Sequence, residues 1–217
     1  MGRSITVDDF VNIQMVSDPR VSPDGKRVAF VKRHIDAEKN KYRSEIWVAD
    51  LDGGLEPRKF TSSETSAGSP RWSPDGKQIA FVSDRQKPKS QIFSIPANGG
   101  EAAAISKFET EGSIQGISWS PDGSTIACLY RLTPAEFTKE ATEERKTKEL
   151  PAPVRVHKAL NYRHDGGGFV DGAFWQVAVV NTSSGEDKIL TNGDFDCDAP
   201  IWSPDGNTLA LDRKSVV

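Results

Sequence analysis

One tetrapeptide occurs four times in this chain: Ser22-Pro23-Asp24-Gly25, Ser73-Pro74-Asp75-Gly76, Ser120-Pro121-Asp122-Gly123 and Ser203-Pro204-Asp205-Gly206. The copies begin 51, 47 and 83 residues apart. A four-stranded propeller blade has a period of about 40–50 residues. The first two intervals fit that period directly, and the third fits once about 35 residues are inserted.

The chemistry of the tetrapeptide predicts its geometry. Proline presets φ for the second position of a type I turn, aspartate suits the third, and glycine accepts the left-handed conformation that follows. The product is a hairpin loop with a glycine bulge. An aromatic precedes the turn at Trp72, Trp119 and Trp202, with Val21 in the first copy, and an apolar strand follows, as in Val28-Ala29-Phe30-Val31 and Ile79-Ala80-Phe81-Val82. The central alanine suits a strand packed face to face against a neighbouring blade.

A second strand then leads to a glycine-rich turn: Glu45 to Asp50 before Asp52-Gly53-Gly54, Gln91 to Ile95 before Asn98-Gly99-Gly100, and Trp175 to Val180 before Ser183-Ser184-Gly185. Short closing strands follow, as at Arg58 to Thr61 and Lys188 to Thr191. These are antiparallel meanders. The expected fold is all-β: a partial β-propeller of three blades plus the opening hairpin of a fourth. One Ser-Pro-Asp-Gly would be only a common turn; four in matched contexts define a repeat.

Two segments depart from the repeat. Residues 1–17 form a lead-in in which Thr6 to Val16 reads as a short helix, with Thr6 as N-cap, Asp9 as its reciprocal partner, and Val7, Phe10 and Val11 on one face. Either the propeller itself or a second domain covers that face. Within the remaining unit, 18–217, an insertion spans about 132–169. Thr133-Pro134-Ala135-Glu136 has the form of a helix start, the stretch to Leu150 is of mixed charge, and Val154 to Phe169 is strand-like and ends in a glycine run.

Catalytic motifs are sparse. An α/β-hydrolase presents its nucleophile in Gly-x-Ser-x-Gly, and Gly112-Ser113-Ile114-Gln115-Gly116 does not match it; no phosphate loop or His-Glu-x-x-His site occurs either. Asp194-Phe195-Asp196-Cys197-Asp198 starts like a calcium loop, but Ala199 stands where the loop's glycine belongs and Asp205 where its glutamate belongs; an acidic interblade loop is the expected reading. No cofactor or metal is implied. His157 and His164, near Arg155 and Arg163, read as solvent-facing loop residues, with Arg155, Arg163 and His164 as candidates for substrate gating.

A net charge of −3 gives no one-sign excess for nucleic acid. No apolar run is long enough for a bilayer span, and Met1 to Asp9 has no signal-peptide core, so the expected location is the cytoplasm and no membrane contact is expected. Cys128 and Cys197 stand far apart and read as reduced thiols.

The pattern from Trp72 to Asp84 resembles the blades of prolyl oligopeptidase-family enzymes and of TolB propellers. Asp18-Pro19-Arg20-Val21, the blade-three insertion, Leu160-Asn161-Tyr162-Arg163-His164-Asp165-Gly166, Val179 to Leu190 with Thr191-Asn192-Gly193-Asp194, and Pro200-Ile201-Trp202 resemble the acylaminoacyl peptidase and dipeptidyl aminopeptidase branch. That resemblance implies a propeller that gates a carboxy-terminal α/β-hydrolase acting on short peptides. The implied partners are that hydrolase domain and the peptide substrates. The chain itself would be inactive alone. The alternative is a TolB-like module that binds other proteins. Asp212 to Val217 matches what a sequencing-library adapter encodes, which suggests a truncated gene; a natural strand end like Ser83-Asp84-Arg85 is the other reading.

Overall fold

The computed structural model describes residues 4–54, 56–62, 64–86, 89–157, 162–164 and 168–215. Three antiparallel four-stranded sheets follow one another, then a two-stranded one. Blade 1 comprises β1 (Met15–Val21), β2 (Arg27–Asp36), β3 (Lys41–Asp50) and β4 (Arg58–Lys59). Blade 2 comprises β5 (Ala67–Trp72), β6 (Gln78–Ser83), β7 (Gln91–Pro96) and β8 (Ala103–Ala104). Blade 3 has β9 (Gly112–Trp119) and β10 (Thr125–Leu132), then the insertion with α1 (Lys139–Thr147), β11 (Arg163–His164) and β12 (Gly168–Phe169), then β13 (Gln176–Asn181) and β14 (Asp187–Ile189). β15 (Phe195–Trp202) and β16 (Leu209–Ser215) form the hairpin of blade 4. The insertion interrupts the blade in sequence only, because β10 and β13 pair from Thr125↔Asn181 to Tyr130↔Gln176.

The cores lie between blades, not within one. Ala29, Ile46 and Val48 of blade 1 pack on Ile79, Phe81, Phe93 and Ile95 of blade 2. The opposite face of blade 2, at Ala80 and Ile92, packs on Ile114, Ile126, Cys128, Ala178 and Val180 of blade 3. Alternation along a strand therefore sends successive side chains to different neighbours, and the small Ala80 is what lets the sheets approach. The first strands of consecutive blades touch one another, β1 on β5, β5 on β9 and β9 on β15, so they are the innermost strands of the fan.

The Ser-Pro-Asp-Gly turn is a closed hydrogen-bond unit, as blade 3 shows. Gly123 N donates to the Ser120 carbonyl at 2.9 Å, Ser120 Oγ donates to Asp122 Oδ1 at 2.6 Å, and Thr125 N donates to Ser120 Oγ at 3.0 Å. The same set recurs at Ser22, Ser73 and Ser203. The turns also stack between blades. A Cβ on Gly76, Gly123 or Gly206 would sit 3.6, 3.7 or 3.5 Å from Cδ of Pro23, Pro74 or Pro121 in the preceding blade, whereas Gly25 faces nothing.

Several expectations are corrected. The segment expected to be helical to Val16 is a 3-10 helix, Val7–Asn12, because Met15 and Val16 are taken up by pairing with Arg33 and Lys32. Its cap is as expected, with Thr6 N donating to Asp9 Oδ2 at 2.8 Å. Its apolar face is left open: Val7 is 91% and Phe10 56% exposed. Thr133 does not cap the insertion helix. Its N–H is bound to the Glu111 carbonyl, and Pro134 is extended at ψ 142. The α-helix starts one turn later, with Thr138 Oγ1 accepting from Ala141 N at 3.2 Å. The acidic run Asp194 to Asp198 is not a loop: from Phe195 onward it is β15.

Candidate functional site

The Ser-Pro-Asp-Gly turns join the first and second strands of each blade, so they all lie at one end of the fan. The insertion joins second to third strand and leaves blade 3 at the other end. Its root is tied down. Arg131 forms an ion pair with Asp171, its Nε donates to the Ala173 carbonyl at 3.2 Å, and Lys139 N donates to Glu111 Oε2 at 2.9 Å. Beside this root, Tyr130, Leu132, Phe174, Gln176 and Leu190 line a cleft of about 390 Å³.

Two of the three gating candidates come together. Arg155 lies 4.2 Å from the Phe137 ring centroid and 5.5 Å from that of Phe169; Arg163 lies 5.5 Å from the same Phe169 ring. His157 stacks on Phe169 at 5.9 Å and tilts against Tyr162 at 5.7 Å. The β11–β12 pairing, Arg163↔Phe169, sets the second arginine beside its ring. The side chain of the third candidate, His164, and Lys158 to Asn161, Asp165 and Gly166 lie outside the described residues.

A second polar cluster escaped the sequence reading. Every first strand carries a bulge whose first residue has positive φ: Asp18 (49), Ser69 (56), Gly116 (61) and Ala199 (46). At the first bulge Asp18 Oδ1 meets Arg20 Nη2 at 2.7 Å and Oδ2 meets Arg71 Nη1 of blade 2 at 2.9 Å. One carboxylate is thus held between two guanidiniums where the innermost strands converge. The available signal was the spacing itself, since Asp18-Pro19, Ser69-Pro70 and Ala199-Pro200 each stand four residues before Ser-Pro-Asp-Gly.

Among the described residues, nothing resembles a nucleophile and its base. Cys128 is buried, and loss of solvation pushes its thiol up to about 12, so it is unreactive. Asp196 and Asp198 turn carboxylate oxygens to the Trp175 and Ala199 amides. Among the described residues no cluster of three metal-ligating side chains occurs, and no helix is long and apolar enough to cross a membrane.

Sheets fanned about their first strands and locked by one repeated turn define an open β-propeller. The chain belongs to the TolB β-propeller domain family, whose model matches residues 4–151. It is 38% identical over 97% of its length to "Uncharacterized peptidase YuxL" of Bacillus subtilis, and 30% identical over 96% of its length to "Dipeptidyl-peptidase 5" of Porphyromonas gingivalis. It spans about 31% of each of those proteins. The solved acylaminoacyl peptidase of Pyrococcus horikoshii superposes with a TM-score of 0.67 at 23% identity, over 93% of this chain and 28% of that one.

Proposed function

We propose that this chain is the amino-terminal, substrate-gating propeller of a serine peptidase that acts on short peptides, of acylaminoacyl or dipeptidyl peptidase type. The observation that carries this reading is the likeness to named peptidases along nearly the whole chain, insertion included. The nucleophile, acid and base belong to an α/β-hydrolase domain elsewhere in the parent polypeptide. The propeller admits peptides by size, and its charged groups tune the approach, with Arg155, Arg163 and His164 reaching the cleft between the two domains. The cytoplasm is the proposed compartment, in keeping with two buried, unbridged thiols.

The test uses the parent protein. Its hydrolysis of short chromogenic peptides and of an unfolded protein is compared with that of a form lacking 139–169. Gating predicts that the deletion improves relative activity on the long substrate. Unchanged selectivity overturns the gating role, and absence of any peptide hydrolysis leaves the propeller a protein-binding module.

A further inference from the structure

The clefts between successive turns are framed alike and filled differently. Between blades 1 and 2 the guanidinium of Arg27 lies 4.9 Å from the Trp72 ring centroid. Its Nη1 donates to the Ala97 carbonyl at 2.6 Å and to Asn98 Oδ1 at 3.5 Å, and Trp72 beneath it is only 8% exposed. Between blades 2 and 3, Gln78 stands in the place of Arg27, since its carbonyl accepts from Ser73 N as that of Arg27 does from Ser22 N. Trp119 takes the place of Trp72. Thr182 and Ser183 take those of Ala97 and Asn98, because Thr182 N donates to the Ser124 carbonyl as Ala97 N does to that of Lys77. Gln78 is shorter than arginine, and its Oε1 accepts from Ser94 Oγ of its own blade. The result is a cavity of about 570 Å³ walled by Gln78, Trp119, Thr182 and Ser183. Trp119 is less buried than Trp72, and among the described residues no cation lies on its ring. Asp75 and Asp122 flank the cavity. Lys77 reaches Asp75 at 3.6 Å, whereas the Asp122 carboxylate accepts from Ser120 Oγ and from the amide and hydroxyl of Ser124. Lys107, at the rim, donates to the Ser184 carbonyl at 2.6 Å.

We infer that the cleft between blades 2 and 3 binds an arginine side chain of another polypeptide, seated on Trp119 as Arg27 is seated on Trp72. The planar cation stacks on the indole, its N–H groups reach the Thr182 carbonyl and the Ser183 hydroxyl, and Asp75 and Asp122 supply the opposite charge. Lysine fits less well, because its compact ammonium lacks the planar fork. The cavity is far larger than a guanidinium, and Pro74, Ile105 and Pro121 on its walls suit an aliphatic stem, so the ligand is a residue within a chain. The site lies at the turn end of the fan, away from the insertion, and it stands apart from the gating reading. Binding is noncovalent, and no proton is transferred.

Isothermal titration of the 217-residue chain tests it. The probes are the blocked tripeptide acetyl-Gly-Arg-Gly-amide, the same peptide with citrulline or lysine at the centre, and methylguanidine. The arginine peptide binds at one site, and the citrulline peptide, which keeps the shape and loses the charge, binds about tenfold or more weakly. The lysine peptide and methylguanidine are also weaker, and added salt weakens the arginine peptide. Gln78→Arg supplies the chain's own guanidinium to the cleft and abolishes binding, whereas Gln78→Ala leaves the cleft open and retains it. Position 78 is exposed and blade 1 carries arginine there, so the fold tolerates both changes, which far-UV circular dichroism checks. No binding of the arginine peptide, equal binding of the citrulline peptide, or binding undiminished by Gln78→Arg overturns the site. An equal loss in Gln78→Ala overturns it as well, because occlusion then explains nothing. Methylguanidine binding as tightly as the peptide overturns the assignment to a polypeptide and makes the ligand a small guanidinium compound.

Discussion

The indole of Trp202 donates from Nε1 to the Ser118 carbonyl oxygen at 3.1 Å, joining blade 4 to blade 3 across 84 positions of sequence. The contact repeats from blade to blade: Trp119 Nε1 donates to the Arg71 carbonyl at 3.1 Å and Trp72 Nε1 to the Arg20 carbonyl at 2.8 Å. In each case the acceptor immediately precedes the aromatic position of the earlier blade. The recurring tryptophan is therefore both an apolar filler and a directional hook between blades.

Replacing Trp119 by phenylalanine keeps most of the apolar area and removes the donor. The expected loss is about 1–2 kcal/mol of unfolding free energy, read as a lower urea midpoint with little change in slope. An unchanged midpoint would show that the hook is neutral.

Ala199 sits at φ 46 in a bulge where blade 3 uses Gly116 at φ 61. A side chain in that region is strained, while glycine is more costly to order from the unfolded state. Ala199→Gly should stabilise by about 0.5–1 kcal/mol. Gly116→Ala should destabilise, since its Cβ would stand 3.3 Å from Leu129 Cδ1. Thermal melts of the two variants moving in the same direction would contradict the assignment.

The turn aspartates titrate low because the serine hydroxyl, then a backbone amide, donates to the ionised carboxylate; Asp122 is brought down to about 2, and Asp24, Asp75 and Asp205 shift the same way. A carboxylate with a depressed folded value adds stability that is complete above the unfolded value of about 4. That stability is lost as pH falls through the folded value. The urea midpoint should therefore drop between about pH 4 and pH 2. Ser120→Ala, which removes the largest cause for Asp122, should lower the midpoint at neutral pH and shrink that drop, because the folded value then lies nearer the unfolded one.

Cys128 and Cys197 are both buried. At pH 8 a thiol reagent should label neither until the chain is unfolded, when both react. Rapid labelling of one in the native state would reveal local opening of its blade.

The blades were legible because each pairs a turn of fixed chemistry with strands of period two, and Pro74 and Gly76 need little beyond local context to act. The ends of the irregular segments were not. Whether Val16 is helix or strand depends on Lys32 across the β1–β2 ladder, and Thr133 is no cap because Pro134 after it is extended and the α-helix starts only after Thr138. The gating candidates were readable only as residue types. That Arg163 meets the ring that Arg155 also touches follows from the Arg163↔Phe169 pairing of β11 and β12, which two short strands and a glycine run do not announce. Asp18 was passed over for a similar reason: its partner Arg71 belongs to the next blade.

Val21, where the other blades carry tryptophan, gives the row of hooks a beginning. Every donor lies on the later blade and every acceptor on the earlier one, so a chain leaving the ribosome amino end first always docks a new sheet on a surface that is already complete. The order of assembly then coincides with the order of synthesis, and no blade must wait for sequence that has yet to be translated before its hook has somewhere to fasten.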